Sequence, residues 1–228
     1  FRRVLFRSFA QKGIYPDSPV LRKCRADFLE VYCSQDSQLT KHARSKNMWA
    51  ERHCLSDGDL ATTKGRRKLY DRLLHLLPRD IWLSPKCKAW CKWNEFNSKR
   101  STSLAMKIMN ARKADGVHLL LCDALFQFQT CRSPTCHAHL EQPSGSQMLY
   151  QEELAAILEQ SYIGRCDMCR AGNLKHPNPR LPLQKRTQVV TTSQIMYRRM
   201  ETLRCDRSHE HDVIAGSCPH PKHGRVLE

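Results

Sequence analysis

Reactive side chains in this chain gather where apolar stretches that read as strands come to an end. Cys87 lies in Ser84-Pro85-Lys86-Cys87, directly after such a stretch, and Lys86, Lys88 and Lys92 surround it in sequence with positive charge. A cysteine is a nucleophile as its thiolate, which neighbouring cations favour. One thiol among twelve is ordinarily an inert packing group, so it is the position after a strand that singles out Cys87. Glu141, in Leu140-Glu141-Gln142-Pro143, is placed in the same way. Glu30 and Glu51 belong to early strands, where acidic groups commonly hold ribose hydroxyls, and Asp59 follows in Asp57-Gly58-Asp59-Leu60. Trp90 and Trp93, just past Cys87, suit either core packing or stacking on a base.

A second chemistry is written in cysteine and histidine. Cys166-x2-Cys169 has the spacing of half a zinc site, Cys205, His209, His211, Cys218, His220 and His223 crowd together further on, and Cys131, Cys136, His137 and His139 form another group. None of them reproduces a paired-knuckle spacing, and the interval from Cys166 to Cys205 is long. Free cysteines without a metal are therefore expected, with a zinc-binding module as an alternative.

The elements that must hold these groups follow from periodicity. Phe28 to Cys33 reads as a strand, and Ser34-Gln35-Asp36-Ser37 as the loop and cap before a helix from Gln38 to Lys46. A second strand is expected from Met48 to His53. Leu69, Tyr70, Leu73, Leu74, Leu76 and Leu77 recur at helical spacing until Pro78 stops them, and a buried strand runs from Asp80 to Pro85. Leu104 to Phe128 predicts a long helical region broken near Gly116, followed by a strand ending at Pro143. Helical spacing returns from Leu149 to Leu158, and Gln188 to Thr192 is a late strand with Ser193 capping a helix. The alternation predicts an α/β fold, Rossmann-like, with a mainly parallel sheet covered by helices on both faces. Ligands of such sheets sit beyond the carboxyl ends of the strands. Those ends carry Cys33 to Asp36, Glu51, Asp57 to Leu60, Ser84 to Cys87 and Glu141 to Pro143. Residues 1–26 read as a leader or a remnant of a longer polypeptide, 27–204 as the domain, and 205–228 as a Cys/His-rich basic tail.

Length and charge set limits on the partners. The chain has 228 residues, enough for a full core. Its 38 Lys and Arg against 22 Asp and Glu leave a net charge of +16, which attracts polyanions, nucleic acid first among them. No stretch is apolar enough to span a membrane. No secretion signal is apparent, so a reducing compartment, nuclear or cytoplasmic, is expected for these cysteines.

In order and spacing, Leu29-Glu30-Val31-Tyr32-Cys33-Ser34, Ala50-Glu51-Arg52, Asp57-Gly58-Asp59-Leu60, Ser84-Pro85-Lys86-Cys87, Leu140-Glu141-Gln142-Pro143 and Lys185-Arg186-Thr187-Gln188 resemble the motif series of cytosine-5 DNA methyltransferases. The likeness is greatest to divergent methyltransferase-like domains of retrotransposon polyproteins, and covers about Asp27 to Gly216. It implies a Rossmann-like methyltransferase fold with S-adenosylmethionine as cofactor, DNA as partner, and other segments of a longer polyprotein as possible further partners. Glu30, Tyr32, Ser34, Glu51, Asp59 and Pro85 would then contact the cofactor. Cys87 would add to cytosine carbon 6, Glu141 would hold and protonate the base, and Lys86, Lys88, Trp90, Trp93, Lys185 and Arg186 would meet the nucleic acid. The first loop departs from the family in having no glycine, Lys86 stands for a second proline, Gln142 for an asparagine, and about forty residues follow Gln188, too few for a separate recognition domain.

Overall fold

A computed structural model describes residues 23–171, 182 and 185–211, and the backbone of 218, 219, 226 and 227. The proposed leader (apart from residues 23–26) and most of the proposed tail lie outside the described residues. The chain is α/β. Strands β1 (Phe28–Cys33), β2 (Ala50–Cys54), β3 (Asp80–Leu83), β4 (His137–Pro143), β5 (Tyr162–Asp167) and β6 (Arg186–Thr191) form one sheet in the order β2-β1-β3-β4-β6-β5. The sheet is mixed: β1 pairs parallel with β2 and β3, and β3 with β4, whereas β6 runs antiparallel to both β4 and β5. Gln188 pairs with Gln142 and with Arg165, so β6 enters the sheet at the end where β4 and β5 leave it.

Between the strands lie α1 (Gln38–Ser45), α2 (Thr63–Leu76), α3 (Lys92–Ser98), α4 (Thr102–Arg132), α5 (Ala155–Glu159), α6 (Met168–Ala171) and α7 (Gln194–Glu201). Successive strand residues face opposite ways, and this divides the core. Leu29, Val31, Ile81, Leu83, Ala138 and Leu140 pack with Leu69 and Leu73 of α2, Leu121 and Leu125 of α4, and Ile157 of α5. On the reverse face Phe28 meets Ala43 of α1, and Val189 meets Met200 of α7, with Trp82 bridging the two groups.

Several boundaries differ from expectation for local reasons. β2 continues to Cys54 and so moves Glu51 from a strand end to its beginning. Gly116 does not interrupt α4, which runs unbroken for 31 residues; a side chain there would meet nothing within 4 Å, so only propensity opposes helix at that point. β5 escapes sequence periodicity because it is an edge strand whose exposure does not alternate, Tyr162 and Ile163 both being exposed and Cys166 and Asp167 both buried, and its Gly164 lets α7 approach: a Cβ there would lie 2.8 Å from Met200 Cβ. Ser37 and Ser193 cap their helices as expected, accepting from the amides of Thr40 and Met196. Among the described residues no helix is long and apolar enough to cross a membrane.

Candidate functional site

The carboxyl ends of β1 and β2 open a pocket lined by Tyr32, Cys33, His53, Cys54, Gly58, Asp59, Leu60, Lys86 and His118. The enclosed space is about 130 Å3, smaller than most drug-sized ligand sites, and it opens at a wide mouth. A register shift between Val31 and Cys33 marks a bulge at which Tyr32 adopts φ 66°, a conformation that costs free energy in any residue but glycine. The bulge turns the Tyr32 ring into the wall, where its hydroxyl lies 3.1 Å from His118 Nδ1. Burial holds the Tyr32 pKa well above its ordinary value and lowers that of His118, with Lys86 and Arg66 adding to the histidine's shift. A neutral phenol and a neutral imidazole thus share one hydrogen bond, whose direction is set by the imidazole tautomer.

His53 is 1% exposed, and neither ring nitrogen makes a hydrogen bond of ordinary geometry. Its pKa is lowered by burial, so it stands in the pocket wall as a neutral imidazole whose polar atoms are unused. Asp57, three residues past β2, locks the turn that follows the strand. Its Oδ2 accepts from Cys54 N at 2.8 Å and from Cys54 Sγ at 3.0 Å. Burial alone would raise the Asp57 pKa, but these bonds and Arg72 bring it below the usual carboxylate range. Gly65 of α2 has no side chain because one would collide with the backbone of Asp59; the Asp59 turn and the helix touch main chain to main chain.

Cys87 is half-buried, one residue past Lys86 at the carboxyl end of β3. The Pro85-Lys86-Cys87 turn is clamped by Gln142, whose side chain donates to Pro85 O at 3.0 Å and accepts from Ser146 Oγ at 2.9 Å. Ser84 donates to Glu141 Oε2 at 3.0 Å and accepts from Trp82 Nε1. Burial pushes the Cys87 thiol above its ordinary pKa, and the Cys91 thiol and the Glu141 carboxylate add to this, while the Lys185 ammonium opposes it. Cys87, Glu141 and Lys185 therefore share one electrostatic environment. A backbone hydrogen bond and the Lys185 ammonium favour the thiolate, while the sequence neighbour Lys86 lines the Tyr32 pocket.

The remaining expected residues fall elsewhere. Glu30 is buried on the reverse face, where its Oε2 accepts from Ser37 Oγ at 2.5 Å, Thr40 Oγ1 at 2.5 Å and Thr40 N at 3.2 Å; it fixes the start of α1 and does not line the pocket. Glu51 pairs with Arg72 at 3.0 Å and Arg44 at 3.5 Å, also away from the pocket. Ser34 is exposed and Pro85 buried, neither of them in the lining. Trp90 is 2% exposed, donates to Asp115 Oδ2 at 3.1 Å and lies under the Arg112 guanidinium, so it is core and offers no face to a base. Trp93 is 70% exposed beside Phe96, while Lys88, Lys185 and Arg186 are on the surface. A second cleft, at the same sheet end, is ringed by Arg165, Arg186, Arg204 and Arg207.

A cluster that sequence spacing obscured adjoins this cleft. Cys169, Cys205, His209 and His211 bring one ligand atom each to within 4.8 Å of one another. Cys166 takes no part, being buried against Val189 and Met200. The other group disperses: Cys136 lies 3.5 Å from Cys24, and His139 bonds Asp80 and Thr191. Cys218, His220 and His223 have side chains outside the described residues. Comparison of the whole chain with known protein families, with curated proteins and with solved structures returns no match.

Proposed function

We propose that this chain is a cytosine-5 DNA methyltransferase-like domain, active or degenerate, of the divergent kind found in retrotransposon polyproteins, with S-adenosylmethionine as cofactor and DNA as partner. One observation carries the reading: the Tyr32 pocket and the turn that bears Cys87 lie at the same carboxyl end of the sheet, joined through Lys86, which lines the pocket. β1 is the strand from which the order runs outward in both directions, to β2 on one side and β3 on the other, and open α/β sheets bind ligands at such switch points. The single reversed strand, β6, set between β4 and β5, supports a Rossmann-like methyltransferase sheet.

The pocket residues fit the cofactor in part. Unused His53 nitrogens, the Asp59 carboxylate and the Lys86 ammonium are suited to the edges of a nucleoside and to an amino-acid carboxylate. Bound there, S-adenosylmethionine supplies an activated methyl group. Tyr32 and His118 wall the site, Lys185 favours the Cys87 thiolate that adds to cytosine carbon 6, and Glu141, oriented by Ser84, exchanges a proton with the base edge. Isothermal titration with S-adenosylmethionine and S-adenosylhomocysteine tests the pocket, and a covalent complex with 5-fluorocytosine DNA, lost in Cys87→Ser, tests the thiol. Absence of both binding and trapping sinks the enzyme.

A burial-raised Cys87 thiol favours a second reading, a nucleic-acid-binding module without catalysis. It uses the arginine-ringed cleft and the +16 charge. Here DNA affinity survives Cys87→Ser unchanged and falls steeply with salt.

A further inference from the structure

We infer that Cys169, Cys205, His209 and His211 hold a zinc ion that fastens the end of β5 to the chain leaving α7. Cys205 Sγ is 3.3 Å from His211 Nε2 and 3.8 Å from His209 Nε2, and His211 Nε2 is 3.3 Å from Cys169 Sγ. Ligands about 2.3 Å (sulfur) and 2.0–2.1 Å (nitrogen) from a tetrahedral ion stand roughly 3.3–3.8 Å apart, so these separations are already those of coordination edges. Hydrogen bonding leaves the arrangement poorly explained, because the one Cys205 thiol is approached by two imidazoles whose ring centroids are only 4.5 Å apart. A cation at the centre uses all four lone pairs at once.

The chemistry of the set names the metal. Two sulfurs and two imidazole nitrogens, with no oxygen donor among them, suit zinc and exclude magnesium or calcium. Four protein ligands leave no open position, so the ion is structural. The surroundings are built for a thiolate. Arg207 adopts φ 61°, and its N–H points at Cys205 Sγ at 3.3 Å. Cys205 N donates to Asp167 Oδ2 at 2.8 Å, Asp167 N donates to Leu203 O at 3.1 Å, and Arg170 pairs with Asp206 at 3.4 Å. The strand end and the loop are thus tied to each other around the four ligands, whose donor atoms lie within 4.8 Å of one another.

The ion would fix Arg204 and Arg207 against Arg165 and Arg186 across the basic cleft, which makes polyanion binding dependent on metal. This assignment does not rest on the methyltransferase reading.

The test uses the full chain, purified reduced after expression with zinc. Elemental analysis is expected to give at least one zinc per chain, and X-ray absorption of the protein carrying one equivalent two sulfur and two nitrogen scatterers at about 2.3 and 2.0–2.1 Å. Cobalt in its place should show the intense visible bands of a tetrahedral thiolate site. The triple change Cys218→Ser, His220→Ala, His223→Ala is expected to keep the metal and its spectrum, whereas Cys205→Ser loses them. Chains without zinc, a ligand set other than two sulfurs and two nitrogens, retention by Cys205→Ser, or loss in the triple variant would each overturn the assignment. The absorption measurement on unsubstituted protein decides the matter even where Cys205→Ser does not fold.

Discussion

Cys87 illustrates how a single side chain is governed by groups remote in sequence. Its thiol is pushed up by burial and by Glu141 and held back by Lys185. Replacing Lys185 with Met removes the opposing charge, so alkylation of Cys87 by iodoacetamide at pH 8 should slow. Glu141→Gln lowers the thiol pKa and should hasten the reaction. Equal rates in all three proteins would remove these residues from the thiol's environment. The two tryptophans separate by burial in the same way. Trp90→Ala empties a core position and should cost about 3–5 kcal/mol in denaturant unfolding, while Trp93→Ala should leave stability within about 0.5 kcal/mol and weaken binding of single-stranded DNA if Trp93 stacks on a base.

At the scale of elements, local grammar was readable wherever a segment carried its own instructions. Ser37 and Ser193 announced their helices, Pro78 marked the end of α2, and the β1 and β3 runs were apolar enough to be seen. What could not be read depended on partners. β5 is a strand because β6 pairs with it and Gly164 admits Met200. Glu30 looked like a ligand-binding acid, but its position on the reverse face makes it the anchor of α1. Cys169 and the Cys205, His209, His211 group were visible as metal-ligand types, but their meeting was hidden because β6 and α7 intervene between them and return the chain to where it started. Two substitutions test this level. Gly116→Ala, in an unbroken helix with open space around it, should stabilise by about 0.5–1 kcal/mol. Arg132 is 2% exposed and caps the carbonyls of Leu77 and Pro78; Arg132→Ala should cost about 3 kcal/mol in urea unfolding, since buried acceptors are left without donors.

For the whole molecule, protonation couples to folding through histidine. Burial lowers the pKa of His53, His118 and His137, so between their folded values and the unfolded value near 6.5 the unfolded chain binds more protons. Their contribution to stability is complete above about pH 6.5 and is lost as pH falls through the folded values. The melting temperature should accordingly decline from pH 7 toward pH 5, with a smaller decline in His53→Gln, followed by thermal melts at constant ionic strength. A flat profile would mean that these imidazoles titrate alike in both states.

Helix α4 is about 46 Å long at 1.5 Å per residue, and its two halves live under different conditions. From Leu119 to Arg132 ten of the fourteen side chains are buried, whereas from Thr102 to Val117 none is. Amide deuterium uptake should therefore run as a gradient along one continuous helix, fast in the opening turns and slow beyond His118. Arg112, whose Nε donates to Ala89 O, lies on the fast side of that boundary. Fraying that reaches Arg112 and Asp115 thus loosens Ala89 and Trp90, and with them the turn after Cys87, before it reaches the buried half of the helix.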